Sequence, residues 1–317
     1  MTLKTIPVRV VEKRRAALDI CLFELERSDG QALPAFSAGS HIDVHLPSGL
    51  VRQYSLCNDP AQHQRYQICV LLDPHTRGGS LAMHDKVAVG DTLLIGEPRN
   101  LFRLVPGEHA VVLLAGGIGV TPLLSMAWKL LAQGRRFHLH YFTRSAERTA
   151  FHAQILQSPL RAMVSFWFDD APGVARPSIG DILGHTEPDA HVYACGPLGF
   201  LKYVQDTCAQ MQWAHLHYEA FTAAPVAAGE AFTVKLQSSG RLIAIPAGQT
   251  VVEALAQAGV EIPVSCEQGI CGTCLTRVCE GVPDHRDQYL TDQERERGDQ
   301  FTPCCSRARS PVLVLDL

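Results

Sequence analysis

Ser265-Cys266-Glu267-Gln268-Gly269-Ile270-Cys271-Gly272-Thr273-Cys274 is the most informative stretch of the chain. Four residues separate its first two cysteines, two separate the next pair, and Cys304 follows after 29 intervening residues. That spacing lets four thiolates hold two irons, as in a plant-type [2Fe-2S] centre. Gly269 and Gly272 permit tight turns that aim backbone N–H groups at sulfur. Structural zinc is the competing reading, but zinc sites usually use paired C-x2-C knuckles, and one such pair stands here beside a four-residue gap. Spacing alone leaves Cys305 open as the fourth ligand, with Cys279 a weaker competitor. Cys21, Cys57, Cys69 and Cys208 lie in strand or helix patterns and read as packing residues.

Outward from this loop, residues 232–237 and 241–245 read as a hairpin turned at Ser238-Ser239-Gly240, and Thr250 caps a helix over 251–258. A hairpin, a helix and a long coordinated loop suit a β-grasp unit over 226–317. The run Thr222-Ala223-Ala224-Pro225-Val226-Ala227-Ala228-Gly229-Glu230 has few packing groups and reads as the linker before it.

Upstream, Val111-Val112-Leu113-Leu114-Ala115 is a continuous apolar run, as expected of a parallel strand covered on both faces. It enters Gly116-Gly117-Ile118-Gly119-Val120-Thr121-Pro122 and an amphipathic segment reaching residue 133, a βα unit in which Thr121 suits the N-cap and Pro122 the first turn. Strands over 137–142, 163–168 and 191–195 and helices over 150–156 and 198–211 complete an α/β module over 106–225. The glycine turn offers N–H groups to a pyrophosphate at a helix N-terminus. It departs from G-x-G-x-x-G, with Pro122 in place of the third glycine and no acidic residue in the usual place for a ribose. Tight packing of a βα turn explains it equally well, until Cys195-Gly196-Pro197 adds a second strand end opening a helix.

Residues 6–99 carry short β-rich runs between turns, which suggest a closed or nearly closed antiparallel barrel over 1–105. In Arg52-Gln53-Tyr54-Ser55-Leu56, alternation puts Arg52, Tyr54 and Leu56 on one face and Gln53 and Ser55 on the other. Arg77-Gly78-Gly79-Ser80 precedes a short helix over 81–86, for which Ser80 is the expected cap, and offers an anion cradle. A phosphorylated flavin would use both segments. On their own terms, Arg52 reads sooner as a surface ion-pair partner and Tyr54 sooner as a core aromatic.

The whole chain has 317 residues, 28 Lys plus Arg against 32 Asp plus Glu, and 11 cysteines. A net charge of -4 provides no field to recruit nucleic acid. From Gly229 onward there are 12 acids and 8 bases, so the excess acidity lies in the C-terminal part. The opening MTLKTIPVRV lacks the pattern of a secretion signal, which leads us to expect a cytoplasmic protein with reduced thiols. Residues 110–128 are apolar enough to imitate a membrane span, but the glycine turn and the Thr121-Pro122 pair in their middle argue for strand, turn and helix.

Taken in order, Arg52-Gln53-Tyr54-Ser55-Leu56, Arg77-Gly78-Gly79-Ser80, the glycine turn, Cys195-Gly196-Pro197, Glu219-Ala220-Phe221 and the cysteine loop resemble the phthalate dioxygenase reductase family along essentially the whole chain. The resemblance implies an FMN-binding barrel, an NADH-binding α/β domain and a C-terminal plant-type ferredoxin domain that serve a separate Rieske-type oxygenase. It implies that Arg52, Gln53, Tyr54, Ser55, Val70 and Leu71 line the flavin and that Arg77, Gly78, Gly79 and Ser80 receive its phosphate. It places Gly116, Gly117, Gly119, Thr121, Pro122, Cys195, Gly196 and Pro197 at the nicotinamide nucleotide. By the same resemblance, Phe221 would cover the flavin ring, and Ser55, Thr121, Cys195 and Phe221 would surround the hydride transfer. The cluster ligands become Cys266, Cys271, Cys274 and Cys304. NADH and FMN are implied over NADPH and FAD, although Arg144-Ser145 would suit a 2′-phosphate. The expected partner belongs to an aromatic O-demethylase, with a phthalate-like or quaternary-amine oxygenase as the alternative. An electron carrier without nicotinamide turnover is the third reading.

Overall fold

The computed structural model describes residues 5–73, 78–170, 176–221, 229–264, 267, 269, 272–287 and 289–317. The chain divides into two compact units, Met1–Phe221 and Thr222–Leu317.

The first unit opens with β1 (Thr5–Ala17), β2 (Ile20–Arg27), β3 (His41–His45), β4 (Val51–Ser55), β5 (Tyr66–Leu71), α1 (Gly79–Lys86) and β6 (Thr92–Gly96). The strands form a six-stranded sheet in the order β4-β3-β6-β1-β2-β5, with antiparallel pairing throughout. An isolated antiparallel bridge between Leu56 and Ile68 draws its two edges together. Alternate side chains such as Val8, Val10, Phe23, Leu25, Ile42 and Val44 are buried in one cluster, as a sheet with one covered face requires.

A second sheet in the same unit contains β7 (Val111–Gly116), β8 (Phe137–Thr143), β9 (Val164–Phe168), β10 (His191–Cys195) and β11 (Leu216–Glu219). All its pairings are parallel, in the order β11-β10-β7-β8-β9. Helices α2 (Val120–Ala132), α3 (His152–Leu156), α4 (Ile179–Gly184) and α5 (Leu198–Gln210) provide the crossovers. Leu113 and Ala115 of β7 pack with Leu123 and Leu124 of α2, whereas Val112 and Leu114 pack with Ile182 of α4 and Leu201 of α5. Burial on both faces explains why β7 reads as a continuous apolar run. The α2-side cluster runs on through Ile20, Leu22, Cys57, Cys69 and Phe102, so both sheets of the unit share a core.

Two expected caps fail. Helix α1 begins at Gly79 after Gly78 in the left-handed region (φ 89°), and the Ser80 hydroxyl accepts from the Asp73 N–H at 3.2 Å instead of capping. Helix α2 begins at Val120, so Thr121 lies inside its first turn, where the hydroxyl donates to the Ile118 carbonyl at 3.0 Å. Helix α3 is shorter than expected, while α4, capped by Ser178, and the edge strand β11 escaped the sequence reading.

The second unit contains β12 (Phe232–Leu236), β13 (Leu242–Ile245), α6 (Val251–Gln257), β14 (Thr276–Glu280), β15 (Pro283–Asp284), α7 (Asp292–Arg297), β16 (Gln300–Phe301), β17 (Arg307–Ala308) and β18 (Val312–Leu315). Its main sheet runs β13-β12-β18-β14-β16, in which β12 and β18 are parallel, and β15 pairs with β17. Thr250 caps α6 as expected, in a reciprocal box with Glu253, and Val251, Ala254 and Leu255 press onto Val234, Ile245, Phe301 and Leu313. Among the described residues no helix is long and apolar enough to cross a membrane.

Candidate functional site

The order of the parallel sheet reverses between β7 and β10, and a crevice at the C-terminal ends of such strands is where α/β sheets bind ligands. Gly117 is left-handed (φ 56°), and Gly117–Gly119 form a single 3-10 turn before α2. A Cβ on Gly119 would stand 2.2 Å from the Cys195 carbonyl oxygen, and one on Gly196 would stand 2.9 Å from the Gly116 Cα. One on Gly116 would meet the Phe200 ring at 2.9 Å and the Pro197 ring at 3.1 Å. The two loops therefore sit back to back, which requires glycine at the contact. Buried Val120, Thr121 and Pro122 form the first turn of α2, and Pro197 stands at the N-cap of α5, so both helix starts face the crevice with backbone N–H groups.

Beside them, Cys195 pairs in register with Glu219 on β11. Burial, then the Glu219 charge, push the Cys195 thiol well above its usual range. Glu219 as a residue is only half-buried, yet its Oε2 is sealed from solvent and has no hydrogen-bond partner among the described residues. Burial raises its pKa to about 8, so the carboxyl holds a proton at neutral pH. Phe221 is partly buried against the cluster that contains Ala115, Tyr141 and Cys195. Glu219 is the residue that sequence reasoning quoted without a role. An acid at the end of a strand, two residues before a marked aromatic, was the available signal.

In the antiparallel sheet, the Arg52 side chain lies against the start of α1, where a Cβ on Gly79 would stand 2.6 Å from its Nε. Strand β4 and the Gly78-Gly79-Ser80 turn, separate in the chain, are thus brought into one cradle, and glycine at position 79 leaves the guanidinium room to lie there. Tyr54 packs on the sheet core, and burial raises its hydroxyl pKa. Ser55 is buried at the end of β4, Val70 is buried and Leu71 is exposed on β5. Gln53 points elsewhere: its amide donates to Asp43 Oδ1 at 3.1 Å and lies 3.3 Å from His41 Nε2. Asp43 also accepts from Arg99 at 2.6 Å, and burial holds the His41 pKa down at about 4. Arg77 lies outside the described residues.

In the second unit, Cys274 and Cys304 are buried together, and the Gly269 N–H donates to Cys304 Sγ at 3.2 Å. Gly269 and Gly272 are both left-handed, and a Cβ on Gly269 would collide with Cys305 Sγ at 2.3 Å, one on Gly272 with the Tyr289 ring. Glycines that let chain close around sulfur, with an amide aimed at a thiolate, fit a cluster loop. The hydrogen bond with Cys274 raises the Cys304 thiol to about 12, so a metal centre that takes these sulfurs as ligands would have to displace their protons. Cys305 is buried in the same cluster and hydrogen-bonds with Cys304, with its sulfur also 3.3 Å from the Thr302 hydroxyl and 3.8 Å from the Ser306 hydroxyl. Cys279 is exposed on β14. Cys266 and Cys271 lie outside the described residues, so two of the four expected ligands are placed.

Residues 234–309 match the family described as a 2Fe-2S iron-sulfur cluster binding domain. The vanillate O-demethylase oxidoreductase of Pseudomonas sp. (strain HR199 / DSM 7063) is 48% identical over 316 residues, covering 98% of this chain and 100% of the relative. The phthalate dioxygenase reductase of Burkholderia cepacia is 40% identical over 313 residues, covering 98% and 97%. A solved phthalate dioxygenase reductase, described as a modular structure for electron transfer from pyridine nucleotides to [2Fe-2S], is similar with a TM-score of 0.77 at 39% identity, covering 99% of this chain and 98% of that chain. Related end to end at these levels, the chain belongs to the phthalate dioxygenase reductase family.

Proposed function

We propose that the protein is an NADH-dependent reductase that binds FMN and a [2Fe-2S] cluster and passes electrons to a Rieske-type oxygenase, in an O-demethylase of the vanillate type. The observation that carries this reading is the end-to-end similarity to a vanillate O-demethylase oxidoreductase. Three working modules are proposed, 1–105, 106–225 and 226–317, the first as a flavin barrel and the last as a β-grasp ferredoxin. The Leu56–Ile68 bridge supports the barrel, and the α6-covered mixed sheet supports the β-grasp.

When bound, flavin and cluster would supply hydride acceptance and single-electron transfer. Gly78, Gly79 and Ser80 would hold the flavin phosphate beside Arg52, with Tyr54 and Ser55 along the ring. The N–H groups at the starts of α2 and α5 would hold the dinucleotide pyrophosphate. Phe221 would cover the flavin position and yield it to the nicotinamide. Cys195, kept as a neutral thiol, and Glu219, holding its proton, present no negative charge to the incoming pyridine ring. Cys266, Cys271, Cys274 and Cys304 would ligate the irons.

Anaerobic addition of NADH to the loaded protein should bleach the flavin band and then reduce the cluster and cytochrome c. Cys304→Ser should spare flavin bleaching and abolish cytochrome c reduction, whereas Cys305→Ser should spare both. The reverse pattern would make Cys305 the ligand, and an unbleached flavin would sink the reductase reading.

A further inference from the structure

The second unit is acidic overall, yet one recess in it, with a volume of about 620 Å³, is lined by three arginines. Arg295 and Arg297 come from the last turn of α7, Arg309 follows β17, and His285 stands in the wall beside Pro283 of β15. All belong to one unit, and the electron-transfer reading uses none of them.

His285 is the unusual member. Its side chain is nine-tenths buried, and neither ring nitrogen makes a hydrogen bond of good geometry among the described residues, the Arg295 backbone offering at most a weak one. Asp287 Oδ1 is 3.7 Å from its Nδ1, too far for one. That carboxylate is committed elsewhere: Oδ2 accepts from the Tyr289 and Leu290 N–H groups at 3.1 and 2.7 Å, and Oδ1 faces the Ser306 hydroxyl at 3.4 Å. Arg295 donates through Nη2 to the Asp287 carbonyl at 2.6 Å, but its Nε is sealed and without a partner among the described residues. Buried polar groups are nearly always hydrogen-bonded, so a histidine ring and one guanidinium N–H left open in one wall point to a missing acceptor.

The arginines have acidic neighbours, all loosely engaged. Arg297 Nε is 3.9 Å from Asp299, Arg309 Nε is 3.5 Å from Asp284, and Arg295 is 3.7 Å from Asp292 and 3.9 Å from Asp287. Arg27 and Asp29 show the contrast, a two-pronged pair with contacts of 2.8 and 2.9 Å. Exposed pairs at the longer distances are weak and exchange readily for a better acceptor. Glu296 also lines the recess, and the C-terminal end of α7 would repel an anion; Arg295 and Arg297 in that same turn reverse the sign. Guanidinium groups suit oxyanions because their forked N–H donors match two oxygens at once.

We propose that this recess binds the phosphate or carboxylate group of a small organic molecule, with Arg297 and Arg309 closing on its oxygens and His285 donating from the wall. Burial, together with Arg295 and Arg309, lowers the His285 pKa against the pull of Asp287 and the Arg295 backbone. A bound anion would oppose that shift, so binding should take up protons.

The test is calorimetric titration of the flavin- and cluster-loaded full chain with inorganic phosphate, phenyl phosphate and benzoate at constant ionic strength. At least one should saturate in the millimolar range or below, and an Arg297→Gln/Arg309→Gln double variant should lose tenfold or more in affinity with its cluster spectrum unchanged. The difference between the proteins separates this site from the phosphate-binding loops of the first unit. If the double variant misfolds, labelling of unaltered protein decides: the anion should protect Arg297 and Arg309 from phenylglyoxal. Equal affinity in the double variant, saturation by none of the three probes, or unprotected arginines would overturn the proposal.

Discussion

Glu219 in the first unit and Arg307 in the second are two ionisable side chains taken out of water, and their surroundings differ sharply. Arg307 is fully buried, donates to the carbonyls of Gln249, Pro246 and Glu230 at 2.6, 3.0 and 3.1 Å, and lies 5.1 Å from the centre of the Phe232 ring. Of its nitrogens, Nε lacks a partner among the described residues. Gly229 makes room for it, since a Cβ there would stand 2.7 Å from that nitrogen. Glu219 has a sealed, unpartnered Oε2 beside the Cys195 loop. A buried charge whose donors are taken up by carbonyls from separate chain segments is a fastener. A carboxyl that keeps its proton and an unpartnered oxygen next to a ligand crevice is the kind of group chemistry uses.

The contrast breaks most visibly at Arg307. Arg307→Met strands three carbonyls and should cost the second unit on the order of 3–5 kcal/mol, read from urea unfolding followed by the cluster's visible circular dichroism. A loss below roughly 1 kcal/mol, the net worth of one ordinary hydrogen bond, would remove the fastener role.

Glu219→Gln should act in the opposite direction. The unfolded carboxyl releases its proton near 4.5 and the folded one near about 8, so the folded state binds more protons between those values. This group therefore drains stability as pH rises from the first value to the second, and not beyond. The amide lacks that slope, and the variant should gain roughly 1–3 kcal/mol at neutral pH while flavin reduction by NADH slows at least about tenfold. Unfolding curves across that pH span and anaerobic stopped-flow measure the two effects. Parallel pH slopes in the two proteins would return Glu219 to an ordinary surface carboxylate.

Thr250→Ala provides the smallest and most discriminating change. Loss of the α6 cap should cost about 1 kcal/mol, but the neighbouring Gln249 carbonyl is an Arg307 acceptor. Residues that share a segment couple, so the same substitution should cost less in an Arg307→Met background; strict additivity would show that the cap and the fastener act separately.

The chemistry-bearing motifs were legible because glycine and cysteine announce backbone geometry and ligation by their identity and spacing. Gly119 and Gly196 mark a true close approach, and Gly269 donates to the Cys304 sulfur as its position suggests. Hydroxyl residues misled. Thr121 and Ser80 looked like caps, but a 3-10 turn starts α2 two residues early and left-handed Gly78 starts α1, leaving both hydroxyls to other partners. Gln53 follows the strand alternation read from sequence, which turns it toward His41 and Asp43 and away from the Arg52 face. Glu219 was hidden for a different reason: its meaning depends on the register of β11 against β10, a long-range pairing that no local pattern displays.

The seating of Gly119 on the Cys195 carbonyl also governs how this protein can be inherited and recombined. Segments 111–132 and 191–210 lie far apart in the gene, but each is the mould for the other. A chimera that imports one from a distant relative, without its counterpart, brings a side chain or a shifted carbonyl into a gap with no slack. Variation in the two segments is therefore expected to arrive jointly, as in a lock and key cut from the same blank.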